Sequence, residues 1–184
     1  IYYLRFHYSK AARVCEVWKR GLFHGRVVVY SSCFRKGCEP MQLIAFDLDG
    51  TLCNTIADIA ASMNRALCAH NIPAYTQEEI QSMVGHGMKE LCRSAMPRGR
   101  EPEWEQVMKT YYADYSVHLC DSTQPYPGIR ETLHSLCQRG LKLAVVSNKP
   151  HQNTEDMLHC LFQDWKELFD CIQGQDPRFP VKPD

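Results

Sequence analysis

The stretch that decides the fold is Leu43–Leu52, with the sequence Leu-Ile-Ala-Phe-Asp-Leu-Asp-Gly-Thr-Leu. Its first four residues are apolar, and they lead directly into two carboxylates and a glycine. A short apolar run that ends in turn residues is typical of a buried central strand in a parallel sheet. Open α/β sheets place their ligand sites beyond the carboxyl ends of such strands. We therefore expect a buried strand here that brings Asp47 and Asp49 to one edge of a sheet.

Asp47 and Asp49 are two residues apart, so in an extended segment their side chains point to the same face. Two like charges at one strand end favour a cation nearby, and carboxylate oxygens are ligands that magnesium prefers. An isolated Asp-x-Asp pair is more often a solvated turn or a helix cap. The preceding apolar strand and two later motifs favour a Mg²⁺ site with Asp47 and Asp49 as its ligands.

The two later motifs carry chemistry of the same kind. Leu141–Pro150 is an apolar run that ends in Ser147-Asn148-Lys149-Pro150. Val181–Asp184 holds Lys182, which is followed by a proline. Ser147 could also cap a helix that begins near Pro150, and an isolated lysine is normally solvated. A functional role for either residue therefore depends on the motifs occurring together.

Together with Asp47–Thr51, these segments resemble the first three motifs of the haloacid-dehalogenase-like phosphatase superfamily. Their order and spacing resemble the phosphoglycolate phosphatase branch, in which a helical cap lies between the first and second motifs. The resemblance covers Met41–Asp184. It implies a magnesium-dependent phosphatase that acts on a small phosphorylated metabolite such as phosphoglycolate.

The resemblance also implies a role for each motif residue. Asp47 would attack phosphorus and form an aspartyl-phosphate, and Asp49 would be the general acid and base. Ser147 and the N–H groups after it, beginning with Asn148, would hold a phosphoryl oxygen. Lys182 would place a positive charge beside the phosphate and orient Asp47.

Hydrophobic periodicity predicts several helices between the first two motifs. Thr76 followed by Glu79 is a capping-box start, and the helix that it opens should stop before Gly85. Gly85-His86-Gly87 precedes a further helix and is the candidate for a substrate contact from the cap. A plain turn between two helices explains the same residues equally well.

These patterns predict an α/β fold, namely an incomplete Rossmann-like parallel sheet core with an inserted all-helical cap. We assign the core to residues 41–55 and 123–184, and the cap to residues 56–122. Residues 1–40 form a basic N-terminal segment that we do not expect to be part of the fold.

The N-terminal segment differs from the rest of the chain in charge. Residues 1–40 hold eight basic and two acidic residues, whereas residues 41–184 hold thirteen basic and nineteen acidic residues. Val27–Tyr30 is a candidate short strand. Our hypothesis is that Met41 is the natural initiator and that residues 1–40 are upstream sequence. A basic targeting extension and a small extra domain are the alternatives.

Composition limits the other possibilities. The formal net charge of the 184 residues is zero, so no overall field favours nucleic acid. No apolar run approaches the roughly 18–20 residues that span a bilayer, so we expect no membrane partner. The ten cysteines are scattered without a Cys-x-x-Cys pair, which favours reduced thiols and a cytoplasmic protein.

One motif of the superfamily has no counterpart here. A Gly-Asp-x-x-x-Asp-type loop that supplies further magnesium ligands should come after the third motif, and none comes after Lys182. We therefore expect these 184 residues alone to bind magnesium weakly and to turn over little substrate. The alternatives are a phosphosugar mutase of the same superfamily and a non-catalytic truncated protein. A haloacid dehalogenase is disfavoured because that reaction does not need Asp49.

Overall fold

The computed structural model describes residues 27–32, 41–178 and 181–182. The buried strand expected before Asp47 is present as β2, which spans Met41–Phe46. It lies in a four-stranded sheet whose other members are β1 (Val27–Ser32), β5 (Lys142–Pro150) and β6 (Cys171–Gln175). The strand order is β1-β2-β5-β6.

Strands β2, β5 and β6 run parallel, which confirms the predicted α/β sheet. Ile44 lies opposite Leu143, and Phe46 lies opposite Val145. The carboxyl ends of β2 and β5 therefore meet at the same edge of the sheet. Leu143, Ala144 and Val145 are fully buried, as expected for a central parallel strand.

The helices form two groups, namely those between the first two motifs and those beside the sheet. The helices between the first two motifs are α1 (Ile56–Ala69), α2 (Gln77–Met83), α3 (Met88–Ser94) and α4 (Trp104–Val117), with a 3-10 turn at Glu101–Glu103 before α4. The helices beside the sheet are α5 (Ile129–Gln138), α6 (His151–Leu161) and α7 (Trp165–Leu168).

The inserted helices pack on one another through an apolar interior. Met63 and Leu67 of α1 are fully buried in the same cluster as Val107 of α4. The predicted capping box is confirmed, because Thr76 Oγ1 accepts from Glu79 N at 3.2 Å and Glu79 Oε2 accepts from Thr76 N at 2.7 Å. The helix ends at Met83, two residues before Gly85, as predicted.

The chain enters and leaves the helical insertion through two segments that lie side by side. Strand β3 (Cys53–Asn54) enters the insertion and pairs antiparallel with β4 (Gln124–Pro125), which leaves it. Next to this pair, the buried Asp58 carboxylate accepts hydrogen bonds from Ser122 N at 2.9 Å and from Thr123 N at 2.8 Å. We refer to β3, β4 and Asp58 as the joint.

Strand β5 continues beyond its apolar centre to Pro150, and β6 spans Cys171–Gln175. Apolar periodicity marks only the buried centre of β5, and the polar residues that extend it point into the site described below. Strand β6 begins just after Asp170, whose carboxylate accepts from the Leu143 N–H of β5 at 3.1 Å and pairs with Lys142 at 2.6 Å.

The predicted strand at residues 27–30 is present as β1, which pairs antiparallel with β2 along its whole length. This strand joins the sheet, whereas we expected residues 1–40 to stand apart from the fold. The remainder of that segment, including the stretch before Met41, lies outside the described residues. The division of the chain at residue 40 thus stays a prediction. Within the described part, no helix is both long and apolar enough to span a membrane.

Candidate active site

A cavity of about 210 Å³ lies between the sheet edge and the helical insertion. The sheet side contributes residues from all three motifs. They are Asp47, Asp49, Ser147, Asn148, Lys149 and Lys182. The insertion contributes apolar and aromatic residues from three helices. They include Ile56, Met88, Leu91, Tyr111 and Tyr115. The structure thus brings together the acids, the serine and the lysine that the sequence had marked separately.

One ion pair lies at the more exposed side of the cavity. Lys182 Nζ donates to Asp47 Oδ1 at 2.9 Å and to the Val146 carbonyl at 2.6 Å. The Leu48 N–H also donates to Asp47 Oδ1, at 2.8 Å. The exposed fractions of the two charged side chains are 28% for Asp47 and 32% for Lys182. We call Asp47 and Lys182 the outer ion pair.

A second ion pair lies deeper. Lys149 Nζ is 3.1 Å from Asp49 Oδ1, and the exposed fractions are 3% for Lys149 and 18% for Asp49. Lys149 Nζ also donates to the Tyr115 hydroxyl at 2.5 Å and lies 4.4 Å from the centre of the Tyr115 ring. Tyr115 belongs to α4, so this contact joins the sheet to the insertion. We call Asp49 and Lys149 the inner ion pair.

The groups around the inner ion pair are held neutral. Burial, reinforced by the Asp49 carboxylate, raises the pKa of Tyr115 well above its ordinary value. Burial is also the main reason that the pKa of Tyr111, which stacks on Tyr115 at 5.4 Å, is well above its usual range. Burial and the Asp49 carboxylate raise the pKa of the Cys53 thiol to about 12. The charges of Asp49 and Lys149 are therefore set among neutral neighbours.

Ser147 does not cap the helix that comes after it. Its Oγ accepts from the Lys149 N–H at 3.2 Å, and α6 begins without a side-chain cap. A hydroxyl that accepts in this way still has its own proton to donate. Ser147 is 5% exposed and lines the cavity, so that proton is available to an oxygen bound there.

The Asn148 side chain holds the walls of the site together. Its Nδ2 donates to the Gly85 carbonyl at 2.8 Å and to the Lys182 carbonyl at 3.0 Å. Its Oδ1 accepts from the Lys182 N–H at 2.7 Å. These contacts use the side-chain amide for positioning, so phosphate binding by Asn148 would fall to its main-chain N–H.

The Gly85-His86-Gly87 turn reaches the site only in part. Gly85 and Gly87 line the cavity, whereas His86 is exposed and is not among the described lining residues. Gly87 has φ +85°, and a Cβ there would lie 3.2 Å from the Asn148 carbonyl and 3.1 Å from Gln175 Oε1. The turn therefore needs glycine to approach the sheet this closely. A substrate contact by this turn stays a prediction.

Sequence reasoning assigned no role to Lys149 or to Tyr115. The signal for Lys149 was present, because it lies two positions after Ser147 in the same strand and so points to the same face. Tyr115 had no such signal. It is separated from Lys149 by 34 positions, and only the packing of α4 over the sheet brings the two together.

The two acids fit magnesium in kind but form only part of a ligand set. Carboxylate oxygens are suitable ligands, and a protein site for magnesium often uses one or two of them with water and substrate oxygens. Within the described residues, no group of three or more His, Cys, Asp or Glu side chains is arranged to hold a metal ion.

Comparison with known proteins gives a consistent result. Residues 44–184 match the family model described as haloacid dehalogenase-like hydrolase. The chain is 34% identical over 150 residues to a phosphoglycolate phosphatase of Haemophilus influenzae strain 86-028NP, covering 77% of this chain and 66% of that protein. It is 33% identical over 143 residues to a phosphoglycolate phosphatase of Aquifex aeolicus, covering 78% and 65%.

A solved structure agrees with these relatives. The crystal structure of a predicted phosphoglycolate phosphatase from Haemophilus somnus 129PT superposes with a TM-score of 0.69 at 30% identity. The match covers 77% of this chain and 65% of that one. The chain thus spans slightly less than two thirds of the length of the proteins that it matches.

Proposed function

The chain belongs to the haloacid dehalogenase-like hydrolase family, and from this premise we propose that it hydrolyses a small phosphate monoester through an aspartyl-phosphate. The first substrate to test is 2-phosphoglycolate, because the relatives described above are named phosphoglycolate phosphatases. The observation that carries the proposal is the meeting of Asp47, Ser147 and Lys182 at one cavity.

The contacts of Asp47 support its role as the nucleophile. Both donors that hold its carboxylate, Lys182 Nζ and the Leu48 N–H, bind Oδ1. This fixes the carboxylate and leaves Oδ2 to attack phosphorus. The attack forms an Oδ2–P bond and breaks the bond between phosphorus and the ester oxygen.

Asp49 would transfer the protons of both steps. It would give a proton to the departing ester oxygen and so avoid release of a strongly basic alkoxide. Water then attacks phosphorus in the aspartyl-phosphate while Asp49 takes a proton from that water. Inorganic phosphate leaves, and the Asp47 carboxylate is restored.

The remaining residues would bind the phosphoryl oxygens. The Ser147 hydroxyl donates to one oxygen, and Lys182 supplies a positive charge at the exposed side of the cavity. A magnesium ion held by the Asp47 carboxylate and, as the resemblance implies, by the Asp49 main-chain carbonyl would neutralise negative charge at the reacting phosphate.

Trapping of the intermediate tests the proposal directly. The chain is mixed with 2-phosphoglycolate and Mg²⁺, quenched in acid, and digested, and the peptide that contains Asp47 is examined for a phosphoryl adduct by mass spectrometry. We expect the adduct in the wild-type chain, its loss in Asp47→Asn and its retention in Asp170→Asn, which changes an acid distant from the cavity. An adduct on another residue, or one that persists in Asp47→Asn, would refute the mechanism.

Release of inorganic phosphate measured in parallel tests a second expectation. Low turnover by residues 1–184 was expected from the sequence, and an adduct that forms while phosphate is released slowly agrees with it. Rapid Mg²⁺-dependent release that Asp47→Asn abolishes would contradict that expectation while supporting the proposed activity.

A further inference from the structure

We propose that Lys149 is a specificity-determining residue, which binds a second anionic group of the substrate next to the phosphate ester. The inference rests on the proposed function and deepens it. In 2-phosphoglycolate, the first substrate to test, that second group is the carboxylate. The inference assigns recognition of that carboxylate to a residue of the second motif.

The burial of Lys149 is the first argument. An ammonium group that is 3% exposed is costly to keep unless anions and acceptors surround it. Lys149 is nevertheless a lining residue of the cavity. A buried positive charge at the wall of a ligand cavity favours a negatively charged group in that cavity.

The hydrogen-bonding capacity of Lys149 is the second argument. An ammonium has three N–H donors. The Tyr115 hydroxyl at 2.5 Å accepts one of them, and the ion-pair contact with Asp49 Oδ1 at 3.1 Å occupies at most a second. One donor therefore remains for a further acceptor, and Tyr115, which keeps its proton, can also donate to an anion.

The charges around the cavity give the third argument. Among its described lining residues, the charged side chains are Asp47, Asp49, Lys149 and Lys182. Lys182 is bound to the nucleophile and to the Val146 carbonyl, which places it at the phosphate. Lys149 is thus the cation that remains for a different anion.

The position of the inner ion pair fixes where that anion lies. Asp49 must contact the ester oxygen in order to protonate it, and Lys149 Nζ lies 3.1 Å from Asp49 Oδ1. A group bonded one or two atoms beyond the ester oxygen is therefore near Lys149. The apolar walls at Ile56, Met88 and Leu91 offer no charge to a longer substrate, and the volume of about 210 Å³ suits a short one.

The test compares three ligands that share the phosphate and differ only in the group attached to it. They are 2-phosphoglycolate, ethyl phosphate and inorganic phosphate, and their affinities are measured by titration calorimetry with Mg²⁺ in an Asp47→Asn background that prevents turnover. We expect 2-phosphoglycolate to bind about tenfold more tightly than ethyl phosphate, as one charged hydrogen-bonded contact provides.

Substitution of Lys149 should remove this preference and leave the affinity for the phosphate group nearly unchanged. In Lys149→Met we expect the affinity ratio of the two esters to fall close to one, while inorganic phosphate binds within about twofold of its former affinity. Lys149→Arg keeps the charge and should keep part of the preference. Lys142→Met is the matched control, because Lys142 lies in the same strand but pairs with Asp170 outside the cavity.

Three results would overturn the inference. The first is an unchanged ratio of the affinities for the two esters in Lys149→Met. The second is an equal loss of affinity for all three ligands in a Lys149→Met variant that circular dichroism shows to be folded. The third is a chain with native Lys149 that binds 2-phosphoglycolate no more tightly than ethyl phosphate. If Lys149→Met does not fold, the affinity ratio of the two esters is compared between Lys149→Gln and Lys149→Arg. The inference is overturned if the ratio is the same in these two variants. Absence of any phosphate binding before Lys149 is changed would refute the proposed function instead.

Discussion

The outer and inner ion pairs use the same two residue types at opposite depths of one cavity. In the outer pair, Lys182 and Asp47 are each about one third exposed, and in the inner pair Lys149 is 3% exposed. Water can replace the partner of an exposed charge, whereas a buried charge that loses its partner has no such replacement. The outer pair is therefore suited to open for a reacting phosphate, and the inner pair to keep its two side chains in a fixed position.

The largest expected effect is on catalysis, and it distinguishes the chemical roles of Asp47 and Asp49. Asp47→Asn should abolish the phosphoryl adduct and lower phosphate release by on the order of a thousandfold or more, because no nucleophile remains. Asp49→Asn should slow both formation of the adduct and its hydrolysis by about 10²–10⁴-fold, but the adduct should still form because Asp47 is intact. Acid-quench time courses measure both quantities. Equal loss of the adduct in the two variants would mean that the acids do not have distinct roles.

The next effect concerns stability. Lys149→Met removes the buried ammonium that contacts both Asp49 and the Tyr115 hydroxyl, and it should lower the free energy of unfolding by about 3 kcal/mol. Lys182→Met breaks a pair that water can reach and should cost less than about 1 kcal/mol. Urea unfolding followed by circular dichroism measures the difference. Equal losses would show that depth does not distinguish the pairs.

A smaller effect isolates the contribution of the cap to the inner pair. Tyr115→Phe keeps the ring over Lys149 but removes the hydroxyl, and it should lower the free energy of unfolding by about 1 kcal/mol. Tyr112→Phe is the control, since Tyr112 lies on the same helix and is 39% exposed. A loss in Tyr112→Phe as large as that in Tyr115→Phe would argue against a stabilising bond to Lys149.

The smallest effect is the response to salt. At about 1 M salt the screening length is near 3 Å, so the loss caused by Lys182→Met should shrink towards zero. The loss caused by Lys149→Met should change little, because the inner pair is shielded from solvent ions. Urea unfolding at low and high salt measures both. If salt changed the loss of unfolding free energy equally in the two variants, the proposed difference in burial between the ion pairs would be contradicted.

The sequence was sufficient to predict the sheet and several helices, because each has a local signal, whereas the contact of Lys182 with Asp47 was implied only by the resemblance to a known superfamily. The apolar run before Asp47 indicated β2, and Thr76 with Glu79 indicated the start of α2. Lys149 had a signal in its spacing from Ser147, but its contact with Tyr115 had none, because that contact depends on how α4 packs over the sheet. The contacts of Asp58 likewise had no signal, since it binds residues 64 and 65 positions away.

The joint has a consequence for how this architecture can be modified. Because β3 pairs with β4 and Asp58 binds the returning chain, the entry and exit points of the cap are fastened next to each other. The distance between the two points where the cap joins the core is therefore fixed, whatever residues the cap contains. Grafting a cap of different size at these two points should leave the sheet folded, so that new substrates are reached by exchanging one module.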